Sequence, residues 1–559
     1  MYLTSQRRKV VLVNPRGDLN DAVALPSENI RVGSLLAYLR HAGVPVELVD
    51  ADLRPRTPDE LLTHIASQST GLVAAEVLYR TLPYALALTS ALACLPPSRR
   101  PMIVFQGIAA TLSAEDLLQG SPGLDAIILG EGEETLLELA RVLAANGDWR
   151  TVAGLAYRDA DNRIVRSRPR RLIAELDLLP FTARDSLPLA LRHKPVIDIA
   201  TSRGCSGVCS FCSIRPFYAT GIGAPWRGRS PDHVAGELEG LIDTYGVTHF
   251  AFVDEDFIGS ERDGKHRARH LAEIIIARDL QLTFSLYCRA DAIEENLFGV
   301  LRRAGLRTVS FGMESACQRI LDRFDKRITV GGNLSALETL RRLDIRAVPS
   351  TILFEPTVTL AEVRETILFL RRHDLTSLIG PTTTIPYRGT RLTHDLGQHG
   401  WLRDDRFILR PYIPAVRFAD PRVEELLSIW ENWQAWVDRE FQGVRTILAR
   451  THHALAELPE IPQPCFVWST LLELSSQFKR IESDMVLDLI ADLSENTTTP
   501  TLEDRLWSAS VPSLRTISRD TWRLFDQESA LSTALGAEAW RDCSRGRRHE
   551  LGEEVCRGE

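Results

Sequence analysis

No apolar stretch in this chain is long enough to span a membrane, so no transmembrane helix is expected. Neither sign of charge dominates. The 66 Lys and Arg against 74 Asp and Glu leave a net charge of −8, which removes the electrostatic argument for a nucleic-acid or anionic-membrane partner. Internal repeats and low-complexity tracts are missing, which sets aside solenoids and disordered arrays. Nine cysteines in 559 residues, three of them clustered, do not make a disulfide framework. The opening segment runs from Met1 straight into the apolar strand at Val10, unlike a signal peptide, so a reducing cytoplasm is the expected compartment. What is present is an ordinary globular profile, 44% hydrophobic and 25% charged, in a chain long enough for about three domains.

The cysteine cluster carries the chemistry. Cys205, Cys209 and Cys212 lie in the run Thr201 to Cys212, just after the apolar segment Pro195 to Ala200. Three thiolates so close together form a soft metal site, and three is an unusual number. A structural zinc takes four protein ligands. A cubane iron–sulfur cluster has four irons, so a Cys-x3-Cys-x2-Cys loop can hold three of them and leave the fourth open to a small molecule. An open position implies reactivity. A zinc knuckle lacking one ligand, or cysteines that merely pack, are the bland readings, and the sequence leaves Cys288 and Cys317 open as a fourth ligand.

From Pro195 to about Thr390 the pattern predicts six strand–helix units, with strands at Val196–Ala200, His249–Val253, Thr283–Tyr287, Thr308–Phe311, Val348–Leu353 and Ser377–Pro386. Ser230 followed by Pro231 predicts a helix start, as N-cap and first helical residue. Six such repeats suit a partial β/α barrel with its chemistry at the C-terminal strand ends. The cysteine spacing together with this repeat resembles radical S-adenosylmethionine (SAM) enzymes. The resemblance implies a [4Fe-4S] cluster on Cys205, Cys209 and Cys212, with SAM chelating the fourth iron and being cleaved to a 5′-deoxyadenosyl radical. It also implies SAM contacts from Asp254 and Glu255 in Phe252 to Phe257, from Arg289 in Cys288 to Asp291, from Glu314 in the Gly-x-Glu-Ser turn at Gly312, and from Phe211 beside the adenine. Asp256 is read equally as a helix cap or a metal ligand, and a buried pair between Glu314 and Arg289 as the structural alternative. At strand five Phe354 stands where the family often has glycine, which predicts a reshaped adenine or substrate wall. Pro386 to Thr390 resembles the turn that closes the family core, and Leu321 to Thr329 a family helix-to-loop pattern.

Upstream, short apolar runs alternate with amphipathic helices from Lys9 to about Asn146, predicting a parallel α/β sheet with strands at Val10–Asn14, Val46–Asp50, Gly71–Ala75, Met102–Phe105 and Asp125–Leu129. The helix ending at Gly43, Gly107 with Ala110, and the run Gly130-Glu-Gly-Glu-x-Thr135 together resemble the cobalamin-binding domain that precedes many radical SAM cores. The resemblance implies that Gly107, Gly130 and Gly132 let a corrin approach the backbone. No Asp-x-His-x2-Gly run occurs here, which implies cobalt without a protein histidine ligand. Gln106 stands where a doubled glycine is usual.

The expected fold is therefore α/β, with an N-terminal Rossmann-like cobalamin-binding domain over 1–147, a linker over 148–192, a partial (β/α)6 radical SAM core over 193–400 and a mainly helical C-terminal domain over 401–559. Trp430, Trp433 and Trp436 predict a core stripe on one helix, with a substrate lid as the sharper option. His452 and His453 read as surface residues and Arg541–Glu559 as a frayed tail. The implied function is a cobalamin-dependent radical SAM methyltransferase acting on an unactivated carbon of a small-molecule or peptide substrate, with a flavodoxin- or ferredoxin-type reductant. The alternatives are a cyclase or rearrangement enzyme with the same cofactors, and a non-catalytic cobalamin or redox sensor. Beyond the cofactors, no catalytic side chain is legible.

Overall fold

The computed structural model describes residues 9–17, 27–259, 263–403, 416–441, 444–445, 448–449, 466–495 and 499–527. His452, His453 and Arg541–Glu559 lie outside the described residues. The first sheet has seven strands, β1 (Lys9–Asn14), β2 (Val46–Asp50), β3 (Thr70–Glu76), β4 (Met102–Gln106), β5 (Ala126–Ile128), β6 (Leu155–Arg158) and β7 (Ile164–Arg166), in the order 2-1-3-4-5-6-7. The first five pair in parallel and are almost continuously apolar and buried, as strands covered on both faces must be. Two apolar clusters, one on each face, bury them beneath helices. The sequence pattern places the hairpin β6–β7 in the linker. It instead pairs antiparallel onto β5 and extends the first sheet to Arg166.

The second sheet is all parallel, with β8 (Ile197–Ile199), β11 (His249–Phe252), β12 (Thr283–Cys288), β13 (Leu306–Glu314) and β14 (Arg346–Thr351) in sequential order. Ser230 accepts a hydrogen bond from the His233 amide at 3.3 Å and caps the helix Pro231–Tyr245, with Pro231 at its first turn. The sixth predicted strand does not form. Its segment begins with a 3₁₀ turn at Thr376–Leu378 and forms only an isolated parallel bridge, Thr383 to Phe354, just beyond the end of β14. Pro381 and Pro386 each remove a backbone donor, so the segment cannot sustain a ladder. A two-stranded ribbon, β9 (Ser202–Gly204) with β10 (Trp226–Gly228), frames the cysteine loop.

The C-terminal helices Pro421–Glu440, Phe466–Ser494 and Thr499–Gln527 pack onto the same core as the second sheet. Phe354 is fully buried, edge-on to Phe418 and Trp430 with ring centroids 6.2 and 5.9 Å away. It anchors the helical region rather than lining an open wall. Trp430 and Trp433 are fully buried, as a core stripe should be, and Trp430 Nε1 donates to Glu482 at 2.9 Å. Among the described residues no helix is long and apolar enough to cross a membrane.

Candidate functional site

The loop that follows β9 begins at Gly204, where φ is +85° and an added Cβ would lie 1.8 Å from the Pro225 carbonyl oxygen, so only glycine permits this entry. The loop then carries Cys205, Cys209 and Cys212, all partly exposed. Burial raises the pKa of Cys205 and of Cys212, helped at Cys212 by the neighbouring Cys209. Burial, reinforced by Asp256, pushes the Cys205 thiol up to about 12, so metal binding must itself take the proton off. Among the described residues no set of three His, Cys, Asp or Glu side chains closes around a single ion. Three thiolates leave a structural zinc one protein ligand short, whereas they suit three irons of a cubane and leave the fourth open to a small molecule, so the donor set fits the cluster. The two candidate fourth ligands are committed elsewhere. Cys288 is wholly buried in the apolar core, and Cys317 donates to Glu362 at 3.2 Å.

Side chains converge on this loop from three strand ends. Beyond β12, Arg289 donates to Asp291 at 2.8 Å, to the Lys326 carbonyl at 2.9 Å and toward Cys209 Sγ at 3.7 Å. At the end of β13, Glu314 is buried with φ at +64° and pairs with Lys326 Nζ at 2.8 Å. Lys326, not Arg289, is thus the partner of Glu314. Lys326 Nζ also lies 6.0 Å from the ring centroid of Phe211. Burial presses the Lys326 ammonium toward neutrality, but Glu314 and Cys209 outweigh it and its pKa rises.

The three consecutive acids after β11 diverge. Both oxygens of Asp254 are taken by Thr201 and Ser202, including the Thr201 amide at 2.8 Å and the Ser202 hydroxyl at 2.7 Å. Asp254 therefore holds the first strand end and offers no free oxygen to a ligand. Glu255 turns toward the first sheet, pairing with Arg31 and accepting from the Gly204 amide at 3.0 Å. Asp256 faces the cysteine loop, with Oδ2 3.6 Å from Cys205 Sγ, while its buried Oδ1 has no partner.

Between the sheets lies an open cleft, into which the ends of β3, β4 and β5 project together with β9 and the end of β11. It brings Gly107, Gly130, Gly132 and Glu255 to one place, as the sequence predicted of the glycines, and joins to them Arg31, Glu76 and Gln106. Two buried acceptors here, Glu76 Oε1 and Gln106 Oε1, have no partner, which fits a ligand rich in N–H donors such as a corrin with its amide rim. The acids of the Gly130-Glu-Gly-Glu run tie the modules together. Glu131 accepts from Arg203 at 3.0 Å and from Arg227 at 2.9 Å, and Glu133 accepts from Arg203 at 2.5 Å. Lys326, Arg203 and Glu76 carried no role in the sequence reading. The available signal was position alone, since Glu76 directly follows the apolar run of a parallel strand and Lys326 sits inside the Leu321 to Thr329 pattern.

Comparisons agree with this geometry. Residues 199–370 match the radical SAM superfamily, and residues 18–140 match the B12 binding domain. An uncharacterized methyltransferase of Pyrococcus horikoshii is 32% identical over 294 residues, 52% of this chain and 62% of the relative. An anaerobic magnesium-protoporphyrin IX monomethyl ester cyclase of Synechocystis is 28% identical over 329 residues, 57% of this chain and 64% of the relative. The chain thus spans less than two thirds of either relative's length. The structure of the cobalamin-dependent S-adenosylmethionine radical enzyme OxsB, with aqua-cobalamin and S-adenosylmethionine bound, superposes with a TM-score of 0.72 at 19% identity, over 96% of this chain and 81% of that one, which establishes the shared fold. With a cysteine loop beside the second sheet and a glycine-lined cleft at the strand ends of the first, the chain belongs to the B12-binding radical SAM enzyme family, and its cofactors are a [4Fe-4S] cluster, S-adenosylmethionine and cobalamin.

Proposed function

We propose that the chain is a C-methyltransferase acting on an unactivated carbon of a small-molecule or peptide substrate, with a flavodoxin- or ferredoxin-type protein as reductant. When bound, the three cofactors supply a carbon-centred radical and a transferable methyl group, and the chain's role is to hold, orient and keep them dry. One observation carries the reading. Glu255 and Asp256 are neighbours in sequence, yet one faces the corrin cleft and the other the cysteine loop. Methyl donor and radical source would then flank a single strand end, the spacing that sequential attack on one carbon requires.

In this reading Cys205, Cys209 and Cys212 hold the cluster, and Arg289 braces their loop through Cys209 and the Lys326 carbonyl. The free Oδ1 of Asp256 takes the SAM ammonium by a charge-assisted bond. Phe211 lies against the adenine, and the Glu314–Lys326 pair presents one charge of each sign beside it. Glu255 borders the corrin, fixed by Arg31 and the Gly204 amide.

Product analysis tests the proposal. Anaerobically reconstituted protein given SAM, cobalamin and a low-potential reductant should release S-adenosylhomocysteine together with 5′-deoxyadenosine. Release of 5′-deoxyadenosine with no S-adenosylhomocysteine would overturn methyl transfer and leave ring closure or rearrangement, the reading that the cyclase relative favours. Release of neither would leave a sensor.

A further inference from the structure

Glu76 and Gln106 end adjacent parallel strands and are register partners. Paired residues on neighbouring strands leave the sheet on the same face, so both side chains enter the cleft side by side. They are 3% and 2% exposed, and Oε1 of each has no hydrogen-bond partner. Nearby donors are engaged elsewhere. Arg31 pairs with Glu255, Ser34 donates to Glu133 at 2.8 Å, and Arg203 is shared by Glu131 and Glu133. Dry, unpaired acceptors are costly to keep, so two together at the floor of a cleft point to a ligand that brings donors.

The glycines show that these oxygens have reserved places. A Cβ on Gly107 would lie 2.7 Å from Glu76 Oε1, and one on Gly132 would lie 2.4 Å from Gln106 Oε1. Both glycines therefore make room for the chain's own acceptors. The corrin rim carries primary carboxamides, whose N–H groups are the donors these oxygens lack. We infer that Glu76 and Gln106 form a two-acceptor shelf that binds corrin carboxamide N–H groups and sets the seat of the ring in the cleft. This rests on the cleft being the corrin site. Gln106 gives the seat a side-chain acceptor where a second glycine would give none. Burial, working against Arg31, pushes the Glu76 carboxyl up to about 7, so a neutral acid that still accepts through Oε1 suits an amide partner.

The test is equilibrium binding of aquacobalamin to the full-length protein, followed by absorbance, for wild type, Glu76→Leu, Gln106→Leu and Glu76→Gln. Each Leu variant should bind about tenfold more weakly, while Glu76→Gln, which keeps a carbonyl acceptor, should stay within about threefold. A second probe isolates the amides. Cobyrinic acid heptamethyl ester carries esters in their place, so the difference between wild type and the Leu variants should vanish with it. Thermal midpoints of the apo Leu variants should be equal or higher, because an unpaired acceptor has been removed. Leu variants that bind aquacobalamin as tightly as wild type overturn the shelf while leaving the cleft intact. The same loss with the ester as with aquacobalamin also overturns it, by assigning the residues to shape alone. Wild type that takes up no aquacobalamin overturns the corrin reading of the cleft and the shelf with it.

Discussion

Glu314 occupies a left-handed backbone conformation that a non-glycine residue rarely adopts, at the point where the register of β13 against β14 shifts. That kink turns its carboxylate onto Lys326, and Gly312 is what leaves the pair room. A Cβ at Gly312 would stand 2.0 Å from Glu314 Oε1 and 2.5 Å from Lys326 Nζ. Gly312→Ala must therefore displace the ends of both buried side chains, at a cost of up to about 3–5 kcal/mol where the move leaves either charge uncompensated. The expected outcome is a lower unfolding midpoint and SAM binding weakened by about tenfold or more, read by calorimetry and equilibrium dialysis on the reconstituted protein. A lowered midpoint with unchanged SAM affinity would make the pair a structural strut and would remove Glu314 from the proposed SAM site. The glycine motif was visible in the sequence. Its reason was not, because Lys326 reaches it only once the segment after β13 has folded back.

At the scale of elements, the ribbon β9–β10 is clamped to the first sheet by the loop after β5. Arg227 is 6% exposed, and two of its guanidinium nitrogens already lack partners, so Glu131 is its main counter-charge. Glu131→Ala should lower the first unfolding transition by about 3 kcal/mol or more. It should also speed proteolysis near Leu178 and Phe181, which are 77% and 46% exposed between the modules. An unchanged midpoint and digestion rate would mean that the apolar contacts alone hold the two sheets together. The same elements show what the sequence made legible. Apolar runs marked all five parallel strands of the first sheet, because strands buried on both faces leave an unbroken signature. The cysteine loop was legible because its spacing is local. The hairpin Leu155–Arg166 was not assigned to the sheet, since its edge position is set by pairing with β5 rather than by its own pattern. The sixth strand failed for a reason present in the sequence, the prolines at 381 and 386. Phe354 was misplaced because its neighbours, Phe418 and Trp430, come from a region with no motif.

At the scale of the whole molecule, the modules meet over buried carboxyls, and their protonation makes stability depend on pH. Glu28 is packed against Arg184, which also bonds Glu237 at 3.1 Å, so three segments distant in sequence share one ion cluster. Burial, against the pull of Arg184, pushes the Glu28 carboxyl up to about 7, and burial does the same for Glu76. Both shifts run upward from an ordinary value of 4.5. In that window the folded protein keeps protons that the unfolded chain has lost, so stability is full below the unfolded value and falls as pH rises toward 7. Glu133 does not offset this, because Arg203 holds it down to about 2 and its contribution changes only below the ordinary carboxylate value. His233 works the opposite way, since burial and Arg229 lower its pKa, but only below the ordinary histidine value and by a smaller shift. The apo protein should therefore melt at a lower temperature at pH 7.5 than at pH 5, by a margin measured in calorimetric scans at matched ionic strength. Glu76→Gln, which has no proton to lose, should flatten that slope, and Glu28→Gln should flatten it further, while Asp256, which burial pushes up to about 6, keeps part of it in both variants. A midpoint that stays level or climbs between pH 5 and 7.5 would mean that water or counter-charge reaches these carboxyls, and that the two sheets do not close over them as the buried cluster requires.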